Sequence, residues 1–247
     1  MDNESNDKDK MIFIIPYKNR EQELQEWLTN MIPIMNFKFG HNNWEVLVIH
    51  QIDNRLFNKG ALVNSGYKIC YKKYGTALNN MKLTMNDVDI YPRTANIFSY
   101  YIKDNELYHP YGEHNHSLSP ILGCFFTMYF KDYKKVNGIP NYWGWGNEDV
   151  CFARRCEAFG IHINEEPKIE RRSNSNIIDK PSIIDSKKLK FMNSTNIRNY
   201  RETVKENHTQ PINGISNLKL LSYNEHTIPN FESFNNIRMY DIEFEIL

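Results

Sequence analysis

The chain lacks any apolar run near the ~18–20 residues that a membrane-spanning helix requires. It opens on MDNESNDKDK, the reverse of a secretory signal. A soluble, cytoplasmic protein with a polar, disordered tail over residues 1–10 is expected. Cysteine is scarce: Cys70, Cys124, Cys151 and Cys156 are too few to scaffold 247 residues. No CxxC or HxxxH spacing completes a zinc set, so reduced, buried thiols are expected and structural zinc is not. Excess charge of one sign is absent as well. Thirty Lys and Arg balance thirty Asp and Glu, which leaves nucleic acid and anionic membranes without a general attraction. Electrostatic recognition must therefore be local. No internal repeat or linker divides the chain. Its 32 asparagines generate glycosylation sequons by chance and carry no chemistry by themselves.

What is present suffices for a core: 40% of residues are hydrophobic and 13% aromatic. Met11–Ile15 is a short apolar run closed by Pro16, a buried strand. Leu24, Trp27, Leu28, Met31 and Ile32 recur at helical spacing within Glu21–Met35. Trp44–His50 reads as a second buried strand, Phe57–Tyr71 as a helix and Met81–Met85 as a third strand. Strand, helix, strand, helix, strand with short connections predicts an α/β fold with a mostly parallel, right-handedly wound sheet. Ligands of such sheets gather beyond the carboxyl ends of the strands. The loops there hold Lys18 and Arg20, Asp53 and Arg55, then Asp87 and Asp89. Farther on, Ile121–Phe130 reads as a strand, Lys131–Asn137 as a short helix, and another helix starts near Glu148. Residues 164–217 are polar and predict long loops. Met239–Leu247 alternates like a closing strand.

Asp87-Val-Asp89 ends a buried strand, where two carboxylates can share a divalent cation that a diphosphate needs; a plain Asp-rich turn is the competing reading. Tyr142–Asp149, YWGWGNED, is rarer. Two tryptophans set in glycine cannot form a regular element, and indole faces stack on sugars. Glu148 and Asp149 then fall in a helix's first turn, where the dipole favours a charged carboxylate suited to act as a base. A helix cap beside a core-filling tryptophan is the alternative. Lys18 and Arg20 suit phosphate or a nucleobase, or else are solvated loop charges. Phe57-Asn-Lys59 could seat a base, although Asn58 is also a good helix start. His114 and His116 could pair on a metal or simply be exposed.

Four blocks carry a resemblance: Ile14–Arg20 (IIPYKNR), Phe57-Asn-Lys59 with Asn64-Ser-Gly66, Asp87-Val-Asp89 with Pro92, and Asn137–Asp149 (NGIPNYWGWGNED). In order and spacing over residues 11–165 they resemble the β-1,4-galactosyltransferase family, with a looser likeness at Asn213-Gly-Ile and the last strand. The resemblance implies a single GT-A domain over 11–247: a nucleotide-binding half (11–92), an acceptor and catalytic half (93–165) and a loop-rich end (166–247). It implies an inverting, metal-dependent transferase using a UDP-sugar, Mn²⁺ or another divalent cation such as Mg²⁺, and a glycan or glycoconjugate acceptor. Pro16, Tyr17, Lys18 and Arg20 match the segment that holds uridine and diphosphate, and Phe57 and Lys59 the base-contacting stretch. Asp89 matches the metal-binding carboxylate and Asp87 its partner facing the donor. Trp145 matches the lid, Asp149 the catalytic base and Glu148 the residue that holds the acceptor sugar.

The chain also departs from the family. Lys18 and Lys59 stand where arginine is usual, and Val150 replaces a third acid. Lys168–Ser173 lacks the family's metal-binding His, leaving Glu170 or water as substitutes. Ile121 replaces a donor-pocket Tyr, leaving room for a 2-N-acetyl group, so galactose, N-acetylgalactosamine or a related sugar fits as the donor sugar. The missing His and Val150 make a UDP- or sugar-binding module without turnover the alternative function. A carboxylate-pair glycosidase fits poorly, because its acids would stand across a cleft, not adjacent in sequence.

Overall fold

A computed structural model describes residues 10–111, 121–166, 169, 175–180 and 186–247, without the side chains of 186–191. The tail 1–9, His114, His116 and Glu170 lie outside the described residues. Strand β1 (Met11–Tyr17) is buried along its whole length, and both its neighbours, β2 (Trp44–Gln51) and β3 (Lys82–Asn86), run parallel to it. Helix α1 (Glu21–Phe39) connects the first pair and α2 (Lys59–Tyr74), followed by a 3₁₀ segment over Gly75–Asn80, the second. Parallel neighbours need such crossovers, and every loop at the strands' carboxyl ends is thereby placed on one edge.

The other strands extend this centre to eight. Three strands follow β3 outward: β6 (Phe125–Tyr129) and β5 (Glu106–Tyr108) by antiparallel pairing, then β7 (His162–Asn164) parallel to β5. On the other flank β10 (Ile237–Ile246) runs parallel to β2, and β9 (Leu218–His226) closes the edge antiparallel to β10. Strands β4 (Ile90–Pro92) and β8 (Ile177–Asp179) form a separate pair. The period of two splits the core into two layers. Phe13 and Ile15 face α1, with Trp27 and Met31; Ile12 and Ile14 face α2, with Leu62 and Val63.

Two sequence expectations fail. The strand predicted from Ile121 starts only at Phe125, because Cys124 has φ 65°, a left-handed conformation that breaks the extended run. The stretch expected to be loops holds the 20-residue helix α5 (Ser186–Lys205) as well as strand β8. Helix α5 escapes hydrophobic periodicity because its buried positions, Thr195, Asn199 and Thr203, are polar, while Ile197, Tyr200 and Val204 are more than half exposed. The short helices α3 (Phe130–Lys135) and α4 (Glu148–Ala158) stand where the sequence put them.

Candidate active site

At the carboxyl edge of the sheet, the turn after β3 presents both acids of the DxD motif and buries Val88 between them. Each acid meets a cation from a different segment. Arg20 Nη1 donates to Asp89 Oδ2 at 2.9 Å while also holding Glu23, and Lys59 Nζ donates to Asp87 Oδ2 at 2.7 Å. The Oδ1 atoms of both acids make no hydrogen bond among the described residues, so hard oxygen donors remain for a divalent cation such as Mn²⁺ or Mg²⁺. These residues fit such an ion. Pro16 and Tyr17 end β1 beneath them, and Tyr17 meets the His50 ring edge-on at 5.0 Å. Lys18 is turned elsewhere: its ammonium donates to the backbone carbonyls of Asp53 and Arg55, at 2.8 and 2.6 Å.

Asn58 caps α2 through its side chain, which accepts from Ala61 N–H at 2.9 Å, as its position suggested. The neighbouring Phe57 carbonyl accepts from Gly144 N–H at 2.9 Å, joining the second block to the Trp-Gly-Trp-Gly loop. Lys59 is the centre of the site's electrostatics. Burial alone would lower its pKa, yet Asp87, then Glu148, hold the ammonium well above its ordinary range.

Glu148 and Asp149 open α4 as the sequence predicted, but the dipole does not decide their ionisation. Burial, followed by mutual repulsion and the nearby Asp87, raises Glu148 above the usual carboxylate range against the pull of Lys59. Asp149 is raised too, by burial first. Both therefore share one electrostatic environment with the DxD turn. Asp149 Oδ1 accepts Val150 N–H at 2.8 Å, and Oδ2 lies over Gly123, where a Cβ would approach it to 2.9 Å. Only glycine fits beside that oxygen without displacing it. Glu148 Oε2 is buried with no hydrogen-bond partner among the described residues. Since the folded state holds a proton on Glu148 more tightly than the unfolded chain does, stability is lost as pH rises through the raised value. Glu148→Gln is expected to raise Tm at pH 8 by about 2–4 °C, the effect of roughly 1 kcal/mol in a chain this size, and to change it little at pH 5; thermal melts at both pH values check this.

The two tryptophans of the loop differ. Trp143 stacks on Phe244 at 5.5 Å and carries the Arg55 guanidinium 4.5 Å from its ring centre, so it is a fixed structural ring. Trp145 is 53% exposed. Its backbone N–H donates to Thr195 Oγ1 at 3.2 Å, and Asn199 Nδ2 donates to the Gly146 carbonyl at 3.0 Å, so α5 fastens the loop. Gly144 and Gly146 (φ 84° and 100°) permit this approach, because a Cβ on either would fall within 2.6 Å of Thr195 or Asn196.

Sequence reasoning missed a buried asparagine network under the loop. Asn64 Nδ2 donates to Asn141 Oδ1 at 2.8 Å, Asn58 Nδ2 to the Asn141 carbonyl at 3.1 Å, and Asn141 Nδ2 to Asn217 Oδ1 at 2.9 Å. Such satisfied amides fix one geometry. Their signal was drowned by asparagine's abundance, although Asn64 and Asn141 lie inside the motif blocks.

Residues 2–101 match the N-terminal region of glycosyl transferase group 7, and residues 109–177 the N-terminal domain of galactosyltransferase. The chain belongs to glycosyltransferase group 7. Among its relatives in this group, it is 32% identical to the xylosylprotein 4-beta-galactosyltransferase of Caenorhabditis elegans over 153 residues, 59% of this chain and 50% of that one. It is 27% identical to β-1,4-galactosyltransferase 1 of Bos taurus over 169 residues, 63% of this chain and 38% of that one. The chain thus spans half or less of the length of these group 7 relatives. The catalytic domain of Drosophila β-1,4-galactosyltransferase 7, solved with xylobiose, superposes with a TM-score of 0.70 at 20% identity, covering 96% of this chain and 95% of that one. A mutant of the same enzyme, solved with manganese, UDP-Gal and xylobiose, gives 0.69. The GT-A fold of the group is therefore shared along nearly the whole chain. No described helix is long and apolar enough to cross a membrane.

Proposed function

We propose that this protein is an inverting hexosyltransferase that moves galactose or N-acetylgalactosamine from a UDP-sugar to a hydroxyl of a glycan or glycoconjugate. The observation that carries the reading is one half-buried acid with a raised pKa, Asp149, in the same electrostatic environment as a DxD turn that retains free carboxylate oxygens. The names of the relatives support a galactosyl donor, and the fly enzyme's ligands support manganese, UDP-Gal and a xylose-containing acceptor.

Asp149 takes the proton from the acceptor hydroxyl as that oxygen attacks the anomeric carbon opposite UDP. Burial raises its basicity, and the absence of a side chain at Gly123 leaves its Oδ2 uncrowded on that side. Glu148 positions the acceptor. Arg20 and Lys59 place positive charge beside the diphosphate as it departs, and Pro16, Tyr17 and Phe57 shape the nucleotide's seat. Asp89, with Asp87 toward the donor, would hold a divalent cation, which would supply Lewis-acid stabilisation of the leaving UDP. Trp145 covers the sugar and excludes water. Residues 11–247 are the proposed extent of the domain.

Incubation with Mn²⁺ or Mg²⁺, a panel of UDP-sugars and xylobiose or other sugar acceptors should release UDP and form a glycoside. UDP binding without any transfer would favour a binding module, a reading encouraged by the pairing of both DxD acids with Arg20 and Lys59. No UDP binding at all would remove both readings. Ile121 leads into Gly123 beside Asp149, so Ile121→Tyr should turn donor choice toward UDP-galactose over UDP-N-acetylgalactosamine by about tenfold or more, read as the ratio of kcat/KM.

A further inference from the structure

Beneath the catalytic helix, away from the DxD turn, three residues distant in sequence converge: Cys151 on α4, Glu206 just past α5, and His208. Their ligand atoms all lie within 4.8 Å of one another. Cys151 Sγ stands 2.6 Å from Glu206 Oε2, and His208 Nδ1 stands 3.9 Å from the same oxygen. No CxxC or HxxxH spacing announces this set, because the fold rather than the local chain assembles it. We propose that Cys151, Glu206 and His208 form a second metal site, selective for Zn²⁺, that ties α4 to the end of α5.

The donor chemistry separates this site from the DxD turn. One thiolate, one imidazole and one carboxylate form the mixed S, N, O set that suits Zn²⁺, whereas all-oxygen donors suit Mn²⁺ and Mg²⁺. Zinc bonds of ~2.0–2.3 Å in tetrahedral geometry set neighbouring donors about 3.4 Å apart. The observed 2.6 and 3.9 Å straddle that value, so small side-chain rotations complete the site. The groups around it are compatible. Arg155, fully buried, pairs with Glu206 Oε1 and leaves Oε2 toward the ion. Tyr142 Oη donates to Cys151 Sγ at 3.7 Å and can do the same to a thiolate. His208 Nδ1 is buried without a hydrogen-bond partner among the described residues. On binding, the thiol proton leaves to solvent, and water fills the fourth position.

The consequence is mechanical. Helix α5 holds the Trp145 loop through Thr195 and Asn199, and α4 begins with Glu148 and Asp149. A zinc clamp between them fixes the lid's support relative to the base.

The test uses Co²⁺ as a spectroscopic substitute on the metal-stripped 247-residue chain. Thiolate ligation gives a near-ultraviolet charge-transfer band that an all-oxygen site cannot give. The expected result is a band saturating at one equivalent, abolished by Zn²⁺, unchanged in Asp89→Asn and lost in Cys151→Ser. His208→Ala should weaken Zn²⁺ binding by at least about tenfold, the minimum seen even for outer-shell partners. Zn²⁺ should also raise the Tm of the unaltered chain and not that of His208→Ala. Absence of the band in the folded, unaltered chain overturns the proposal, as does its persistence in Cys151→Ser, which would assign it to Cys70, Cys124 or Cys156.

Discussion

Asp149→Asn is expected to reduce kcat by about 10²–10⁴-fold, the usual contribution of a positioned general base, while leaving the affinity for UDP within a factor of two or so. The amide is nearly isosteric with the carboxylate, and its oxygen can still accept the Val150 N–H, so the start of α4 should hold. The groups proposed to seat the nucleotide, Arg20, Lys59 and Asp89, make no hydrogen bond to Asp149, which separates binding from chemistry. Burial supplies the pH signature. With its pKa raised, Asp149 is protonated and inactive to a higher pH than an exposed aspartate, so the acid limb of kcat should lie above that of an exposed aspartate. In Asp149→Asn that limb should vanish from the residual rate. Single-turnover transfer measured across pH, alongside calorimetric UDP binding, checks both parts. A variant retaining full kcat would remove Asp149 from the mechanism.

The sequence made the first half of the fold legible because its strands are continuous apolar runs and its first helix has a clean stripe, with Leu24, Trp27, Leu28 and Met31 inward. Three parallel strands then dictated which edge gathers the charged loops. The DxD turn and the helix start at Glu148 were legible for the same local reasons. What escaped was polar or distant. Helix α5 turns Thr195, Asn199 and Thr203 inward, a pattern that hydrophobic period cannot detect. The anchoring of Trp145 on α5 links residues about fifty positions apart, and no local spacing encodes it. Lys18 reads as a phosphate ligand by position, yet its ammonium closes the loop after β2. The helix dipole predicted charged acids at 148 and 149, and burial among like charges reverses that shift.

The second large effect is expected from Lys59→Met, and it joins stability to catalysis. Lys59 sits at the first position of α2, where a cation opposes the helix dipole, so its placement there must be offset by its neighbours. Those neighbours are Asp87 at 2.7 Å and the charge of Glu148. Methionine fills a similar volume but leaves Asp87, Glu148 and Asp149 without their shared cation. This ion pair is half-buried, and losing a charged hydrogen bond of that kind costs about 1.5–3 kcal/mol, which in a chain this size lowers Tm by roughly 3–12 °C. The sign of its pH dependence discriminates a charge effect from lost packing. Without Lys59 the acids' pKa values rise further, the folded state binds still more protons than the unfolded chain, and the loss of Tm must be larger at pH 8 than at pH 5. Lys59→Arg should recover most of the stability, since it restores the charge, and Glu148→Gln placed on Lys59→Met should recover part by removing one repelling acid. A loss of Tm equal at both pH values, or no recovery with arginine, would show that the aliphatic stem rather than the ammonium holds this corner. Where the charge effect holds, the acid limb of kcat must move upward with the acids, because the same ammonium that braces the DxD turn also keeps Asp149 ionised.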